Sequence, residues 1–199
     1  MNVAPHLFWI TSRAAGGAAL LLASASVGLG LMMSSKRKTP NKRDYRALHE
    51  ALSLTTLAMV ALHGVSLLGD EFLDPGLGGI AIPFLGPYRP LWTGLGIIAG
   101  WGLAALGLTY YLRDRIGAAR WRRVHRFTAV FWLAAVVHTV GAGSDAAQLW
   151  FLVVSGLLVV PAGLLLAVRW LGRLAEREGE ASLPPPPVRA DLRDPAGTA

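Results

Sequence analysis

Four histidines hold the chemistry that this sequence can do. His49 and His63 lie fourteen residues apart, in the stretch Leu48-His49-Glu50 through Leu62-His63-Gly64. His125 and His138 lie thirteen apart, in the stretch Val124-His125-Arg126 through Val137-His138-Thr139. Both stretches are apolar enough to be membrane helices, where an ionisable side chain is expensive and points to function. Imidazoles are metal ligands, but a closed zinc site needs four ligands within about 2 Å of the ion, and these histidines come as two separated twos. Copper meets the same objection. A haem iron needs only two axial ligands, because the porphyrin supplies the other four nitrogens. A proton relay would need acids, and the two stretches offer only Glu50. Taken singly, each histidine could be an ordinary hydrogen-bonded membrane residue. The matched pairs are what point to two haems at two depths.

Helix geometry tests that reading. At about 1.5 Å per residue, the spacings correspond to roughly 21 Å on one helix and 19.5 Å on the other. His49 therefore matches His125 in depth, and His63 matches His138, each pair enclosing one iron. Rotation is the harder test. Fourteen residues at about 100° each return to within roughly 40° of the start, whereas thirteen leave His138 roughly 140° from His125 on an ideal helix. A locally tightened turn, a tilt or the reach of the imidazole has to absorb that difference.

The elements that must position these residues are long and apolar. Of 199 residues, 53% are hydrophobic and 16% charged, against about 25% charged in a soluble domain. The charges fall in blocks between apolar runs, which predicts an all-α, polytopic membrane bundle. Five segments approach the roughly 20 residues that a bilayer core requires: Leu7–Met33, Ala47–Gly69, Leu91–Leu112, His125–Gly141 and Ala147–Leu171. The first carries Ala23-Ser24-Ala25, which looks like a signal-peptidase site, but it lacks the basic n-region of a signal peptide; a membrane helix is expected. There are no cysteines, so disulfides, iron–sulfur clusters and covalent haem attachment are excluded. Any haem is held by side chains and packing.

Charge sets the expected orientation. The loop Ser34–Arg46 has Lys36, Arg37, Lys38, Lys42, Arg43 and Arg46 against Asp44, and Arg113–Arg126 has Arg113, Arg115, Arg120, Arg122, Arg123 and Arg126 against Asp114. The intervening loop has Asp70, Glu71 and Asp74 with Arg89, and the turn near Gly143-Ser144-Asp145 is acidic. These place the N-terminus outside and both basic loops and the C-terminus in the cytoplasm, with the plasma membrane as the expected location. The net charge of +7 is thus read as topology and lipid contact, not nucleic-acid binding. Haem propionates need cationic donors. Arg46, Arg122, Arg123 and Arg126 surround the inner pair, and Arg13 and Arg89 are the outer candidates. Arg13 and Arg126 are favoured, and most of the inner arginines are read as topology signals. His6 has no partner and is read as a surface residue.

The loop Asp70–Pro90 is rich in glycine and proline, and its apolar run Ile80-Ala81-Ile82-Pro83-Phe84 is expected at the interface or folded back over the helices. Gly94-x-Gly96-x-x-x-Gly100 lies in an apolar run with no preceding strand, so close helix packing through small residues is expected there, not a nucleotide site. Residues 1–171 form the expected membrane domain. Residues 172–199 form a charged cytoplasmic tail whose first turn or two continue the helix, and whose remainder, through Pro184–Pro187, reads as disordered.

Several motifs resemble the ferric reductase-like transmembrane domain, shared by ferric reductases, NADPH oxidases and the haem-binding membrane subunit of a bacterial methionine-sulfoxide reductase system. They are Trp9-x-x-x-Arg13-x-x-Gly16, Leu48-His49 with His63, Ile82-Pro83-Phe84 with Tyr88-Arg89-Pro90-Leu91-Trp92, Trp121-Arg122-x-x-His125, His138, and Ala142-Gly143-x-Asp145. The resemblance covers about residues 8–170. It implies two b-type haems on His49, His63, His125 and His138, carrying electrons between the membrane faces as an oxidoreductase component. Many relatives have six core helices where five are expected here. Many also carry a flavin and nicotinamide-nucleotide domain, for which the tail here is too short. A cytoplasmic flavin reductase, or reduced flavin supplied by a partner, is therefore the expected donor, with an external acceptor, ferric iron being one candidate. A quinol-linked cytochrome b anchor and a haem-free membrane scaffold are the competing readings.

Overall fold

Apolar runs of this length satisfy their backbone hydrogen bonds internally, so in a bilayer they fold as helices. The computed structural model describes residues 6–34 and 41–181, and no strand occurs among them. Eight α-helices follow in order: α1 Leu7–Met33, α2 Lys42–Ser66, α3 Gly76–Ala81, α4 Pro90–Leu108, α5 Arg113–Ile116, α6 Ala118–His125, α7 Thr128–Ala142 and α8 Leu149–Ala181. Short 3₁₀ turns extend α2 over Leu67–Gly69 and join α4 to α5 over Thr109–Leu112. Together they give five stretches long and apolar enough to cross a membrane: Leu7–Met33, Arg43–Gly69, Pro90–Ile116, Ala118–Ala142 and Leu149–Glu178. The protein is a multi-pass integral membrane protein.

The central helix is α1. Of its most apolar window 28% is buried, against 6–11% in the other four spans. Its small residues allow this: Ser12, Ala15, Ala19, Ala23, Ser24 and Ser26 are buried with Leu20, and small side chains let helix backbones approach closely in a membrane. α1 packs along α2, and α4 packs along α7. Ala23 of α1, Trp132 of α7 and Ala162 of α8 form the bundle core, with Val27, Val136 and Val159 against them. The Trp132 indole N–H donates to the Ser24 hydroxyl at 3.0 Å, and that hydroxyl donates to the Leu20 carbonyl. Ala23-Ser24-Ala25 is thus an integral part of the packed helix. Large apolar residues such as Leu157, Val168 and Leu149 face outward, where lipid takes the place of a core.

Two elements differ from the sequence expectation, and a third takes one of its two expected placements. The fourth span begins at Ala118, not His125, and it is broken: α6 ends at His125 and α7 starts at Thr128. Across the break Phe127 N–H reaches Val124 O at 3.0 Å and Val130 N–H reaches Phe127 O at 3.0 Å. These i→i+3 bonds mark a tightened turn, which advances about 120° per residue in place of about 100°. The extra rotation reduces the angular mismatch between His125 and His138. α8 runs ten residues past Leu171, because Arg173, Leu174, Ala175, Glu176, Arg177 and Glu178 are strong helix formers even though they are not apolar. The segment after α3 folds back on α4: the Phe84 ring rests against Gly94, and Trp101 Nε1–H donates to Ala81 O at 2.9 Å.

The chain divides into two compact units, residues 1–166 and 167–199. The first has all four paired histidines. The second, as far as Ala181, is helical and bears Arg169, Arg173 and Arg177. Lys36, Arg37 and Lys38 of the first basic loop, and the proline-rich run Pro184–Pro187, lie outside the described residues.

Candidate functional site

Three of the four histidine rings are positioned by the helix that their own helix packs against. On α2, His63 turns toward α1, where its Nδ1 lies 2.8 Å from Ser12 O. The Ser12 hydroxyl donates to His63 O at 3.0 Å and also lies 2.9 Å from Nδ1. Further along, His49 Nδ1 lies 3.0 Å from Ser26 O, and the Ser26 hydroxyl reaches both Nδ1 at 3.0 Å and the Ser53 hydroxyl at 2.9 Å. On α7, His138 Nδ1 lies 2.8 Å from Trp92 O of α4. A carbonyl only accepts, so in all three rings Nδ1 is assigned the proton and Nε2 keeps its lone pair. This arrangement orients an imidazole for metal ligation through Nε2.

Each of those three carbonyls has a glycine one helical turn further along: Gly16 after Ser12, Gly30 after Ser26, Gly96 after Trp92. The rings pack onto these glycines. A Cβ would stand 3.0 Å from the His63 ring at Gly16, 3.2 Å from the His49 ring at Gly30 and 2.5 Å from the His138 ring at Gly96. The glycine is the notch and the carbonyl is the latch. On α1 the two notches form a repeat, Ser12-x-x-x-Gly16 and Ser26-x-x-x-Gly30, offset by fourteen residues. That offset equals the spacing of the histidines on the antiparallel α2. The repeat was open to view in the sequence and was not read there as part of the site.

Across the bundle the rings meet in two pairs. His49 and His125 have ring centres 6.4 Å apart with planes at 87°, and His63 and His138 are 6.3 Å apart at 67°. Their helices, α2 on one side and α6–α7 on the other, do not pack closely backbone to backbone; the imidazoles reach across the space between. Two imidazoles on opposite sides of one metal, with bonds of about 2 Å and ring centres roughly 1 Å behind each nitrogen, stand roughly 6 Å apart. Such a spacing would suit two imidazoles that ligate one haem iron at each level. Among the described residues no group of three or more His, Cys, Asp or Glu could hold a metal ion, so a metal at either pair would need further ligands from another source.

His125 is the exception among the four. Its ring faces the Leu106 carbonyl, which also accepts from the Thr109 hydroxyl at 2.6 Å, but the contact falls short of hydrogen-bond geometry and Nδ1 is buried without a well-formed bond. One turn beyond Leu106 stands Tyr110, not glycine. The His125 ring instead stacks on Trp121, with centres 4.9 Å apart and planes at 25°.

The arginines are distributed differently from the histidines. Arg13 forms a two-point ion pair with Asp145, its Nε reaching Oδ2 at 3.1 Å and its Nη2 reaching Oδ1, and it lies 4.1 Å over the Trp9 ring. Arg89, held at φ 41°, donates to Gly141 O at 2.6 Å and so caps α7. Arg126 is exposed, and its Nε lies 3.5 Å from Arg123 O. Arg46, Arg122 and Arg123 are exposed, as is His6. Glu50 accepts a hydrogen bond from the Tyr111 hydroxyl at 2.8 Å.

Comparison with known proteins agrees with the motifs. The family model described as the ferric reductase-like transmembrane component matches residues 15–136, which include His49, His63 and His125 and stop two residues short of His138. No match was found among curated proteins or among solved structures. With more than half of its length matched, the chain belongs to the ferric reductase-like transmembrane component family.

Proposed function

We propose that this protein carries electrons across a membrane through two b-type haems, one between His49 and His125 and the other between His63 and His138. The observation that supports it best is the facing of two imidazole pairs at 6.3–6.4 Å across a gap between helices. Haem iron, when bound, accepts and releases one electron at each level. The protein's own residues do the rest. The Ser12, Ser26 and Trp92 carbonyls hold Nδ1 and leave Nε2 free to ligate, and Gly16, Gly30 and Gly96 let the rings lie flat on their helices. The apolar bundle excludes water from the route.

The His49–His125 level lies beside the basic loops, so the positive-inside bias puts it on the cytoplasmic side. Electrons enter there from a soluble flavin reductase or reduced flavin, which is oxidised by one electron for each one passed. They leave from the His63–His138 level to an acceptor outside, reduced by the same count; ferric iron is a candidate. Arg13 is tied to Asp145, so its part in holding a propionate is indirect, through the geometry of this end of the bundle, while the exposed Arg126 is free to serve the inner haem.

The test is the haem-to-protein ratio and absorption spectrum of the purified full chain after expression with ample haem. Two low-spin haems per chain, released by acid-acetone extraction, are expected. A colourless protein would contradict the proposal and favour a scaffold role.

A further inference from the structure

The geometry points to Trp121 as a positioning residue that holds His125 in its ligating orientation by stacking on the ring. This inference rests on the proposed haem at the His49–His125 level. It assigns to Trp121 the task that a carbonyl and a glycine perform for the other three histidines.

Loss of the usual seat is the first observation. At the His63, His49 and His138 positions a helix carbonyl takes the Nδ1 proton and a glycine makes room for the ring. At the fourth position Leu106 O faces the ring but forms no well-made bond with Nδ1, and the place of the glycine belongs to Tyr110. α4 gives way at this point to the 3₁₀ turn Thr109–Leu112, so the register of regular carbonyls ends. The contact of His125 Nδ1 with Leu106 is too poorly formed to fix the ring as the other three are fixed. A ring without a well-formed hydrogen bond rotates about its χ2 torsion unless packing stops it, and terminal torsions of this kind are broad.

What stops it is an aromatic stack with support of its own. Trp121 lies one helical turn before His125 on α6, and its plane is within 25° of the imidazole plane. Tyr110 meets Trp121 edge-on at 5.8 Å and 61°, and the Arg113 guanidinium lies 4.2 Å over Tyr110. Offset-stacked aromatic pairs contribute beyond the area they bury, to an extent comparable with one net hydrogen bond. Trp121 Nε1 is buried and has no hydrogen-bond partner. The structure therefore gives no polar reason for a tryptophan here, and the large flat face is what the site uses.

The test compares Trp121→Leu with Trp121→Phe in the full-length protein, by haem-to-protein ratio and by electron paramagnetic resonance of the two low-spin haems. Phe keeps a flat face; Leu does not. Trp121→Leu is expected to lose or broaden one haem signal, the one that His125→Ala abolishes, lowering the ratio from two towards one. The His63–His138 signal stays unchanged and serves as the control for folding. Trp121→Phe is expected to keep both signals. Two unaltered signals in Trp121→Leu would overturn the assignment, as would equal loss of both haems in that variant, or a Phe variant as impaired as the Leu variant. A wild type without haem would instead defeat the proposed function, so the two failures are distinguishable.

Discussion

The two histidine levels are built alike on one side of the bundle and differently on the other. At the His63–His138 level both rings are latched, one to Ser12 O and one to Trp92 O, and both lie on glycine. At the His49–His125 level only His49 has that seat, and His125 leans on Trp121. The difference follows from helix regularity. A carbonyl-and-glycine seat needs one intact turn of the partner helix, and α4 provides it at Trp92–Gly96 but not at Leu106–Tyr110, where the helix tightens. Donation from Nδ1 to a carbonyl also makes the imidazole a more basic ligand. The level with two latches and the level with one are therefore chemically distinct, although their ring separations agree within 0.1 Å.

The glycine seats offer the strongest way to break this pattern. Gly96→Ala puts a methyl group 2.5 Å from the His138 ring, Gly16→Ala one at 3.0 Å from His63 and Gly30→Ala one at 3.2 Å from His49. Overpacking of this kind typically costs about 1–3 kcal/mol. Haem loss should decrease in the order Gly96, Gly16, Gly30, and each variant should affect only its own level, as read from the two spectral signals. Equal effects at all three positions would mean that the notches do not seat the rings.

A smaller effect is expected at the Arg13–Asp145 pair. Its side chains are 32% and 19% exposed, so solvent screens part of the attraction, and loss of either partner should cost about 1 kcal/mol. Arg13→Gln and Asp145→Asn should lower the thermal midpoint by similar amounts, and the double variant by little more than either alone. Both haems should remain. Loss of the His63–His138 haem in Arg13→Gln but not in Asp145→Asn would instead make Arg13 a direct propionate partner.

The smallest effect is expected at the basic end and concerns rate alone. Arg122 and Arg123 are exposed on α6 beside His125. Reversing their charge should slow reduction by an acidic flavoprotein several-fold at low ionic strength and change nothing in the haem content, because surface charges act mainly on encounter and salt screens them. Stopped-flow reduction across a salt series checks this; a rate indifferent to both charge and salt would place the donor elsewhere.

Much of this architecture was legible in the sequence. The apolar run of α1 ends where its helix ends, at Leu7 and Met33, because a bilayer-length segment has no competing structure. The histidine spacings paired His49 with His125 and His63 with His138, and the structure brings those rings together. The thirteen-residue spacing could be recognised as irregular but not explained: the tightened turn at Arg126–Phe127 lies between two stretches that both read as helix. Arg13 and Asp145 were each conspicuous, yet their pairing spans 132 residues and depends on topology. The latching carbonyls were hidden for a simpler reason, since every residue has one and only the fold selects which is used. Only the Ser-x-x-x-Gly repeat on α1 could have indicated them. Trp121 was visible in the Trp121-Arg122-x-x-His125 motif, but its task emerges only once the missing fourth seat is seen.

The central claim is that the histidines act in two cross-bundle pairs. The direct measurement is electron paramagnetic resonance on four single variants, His49→Ala, His63→Ala, His125→Ala and His138→Ala, each with its haem-to-protein ratio. His63→Ala and His138→Ala should abolish the same low-spin signal, and His49→Ala and His125→Ala should abolish the other, each leaving about one haem per chain. If His49→Ala and His138→Ala abolish a common signal, or if no single variant removes a haem, the paired arrangement is wrong.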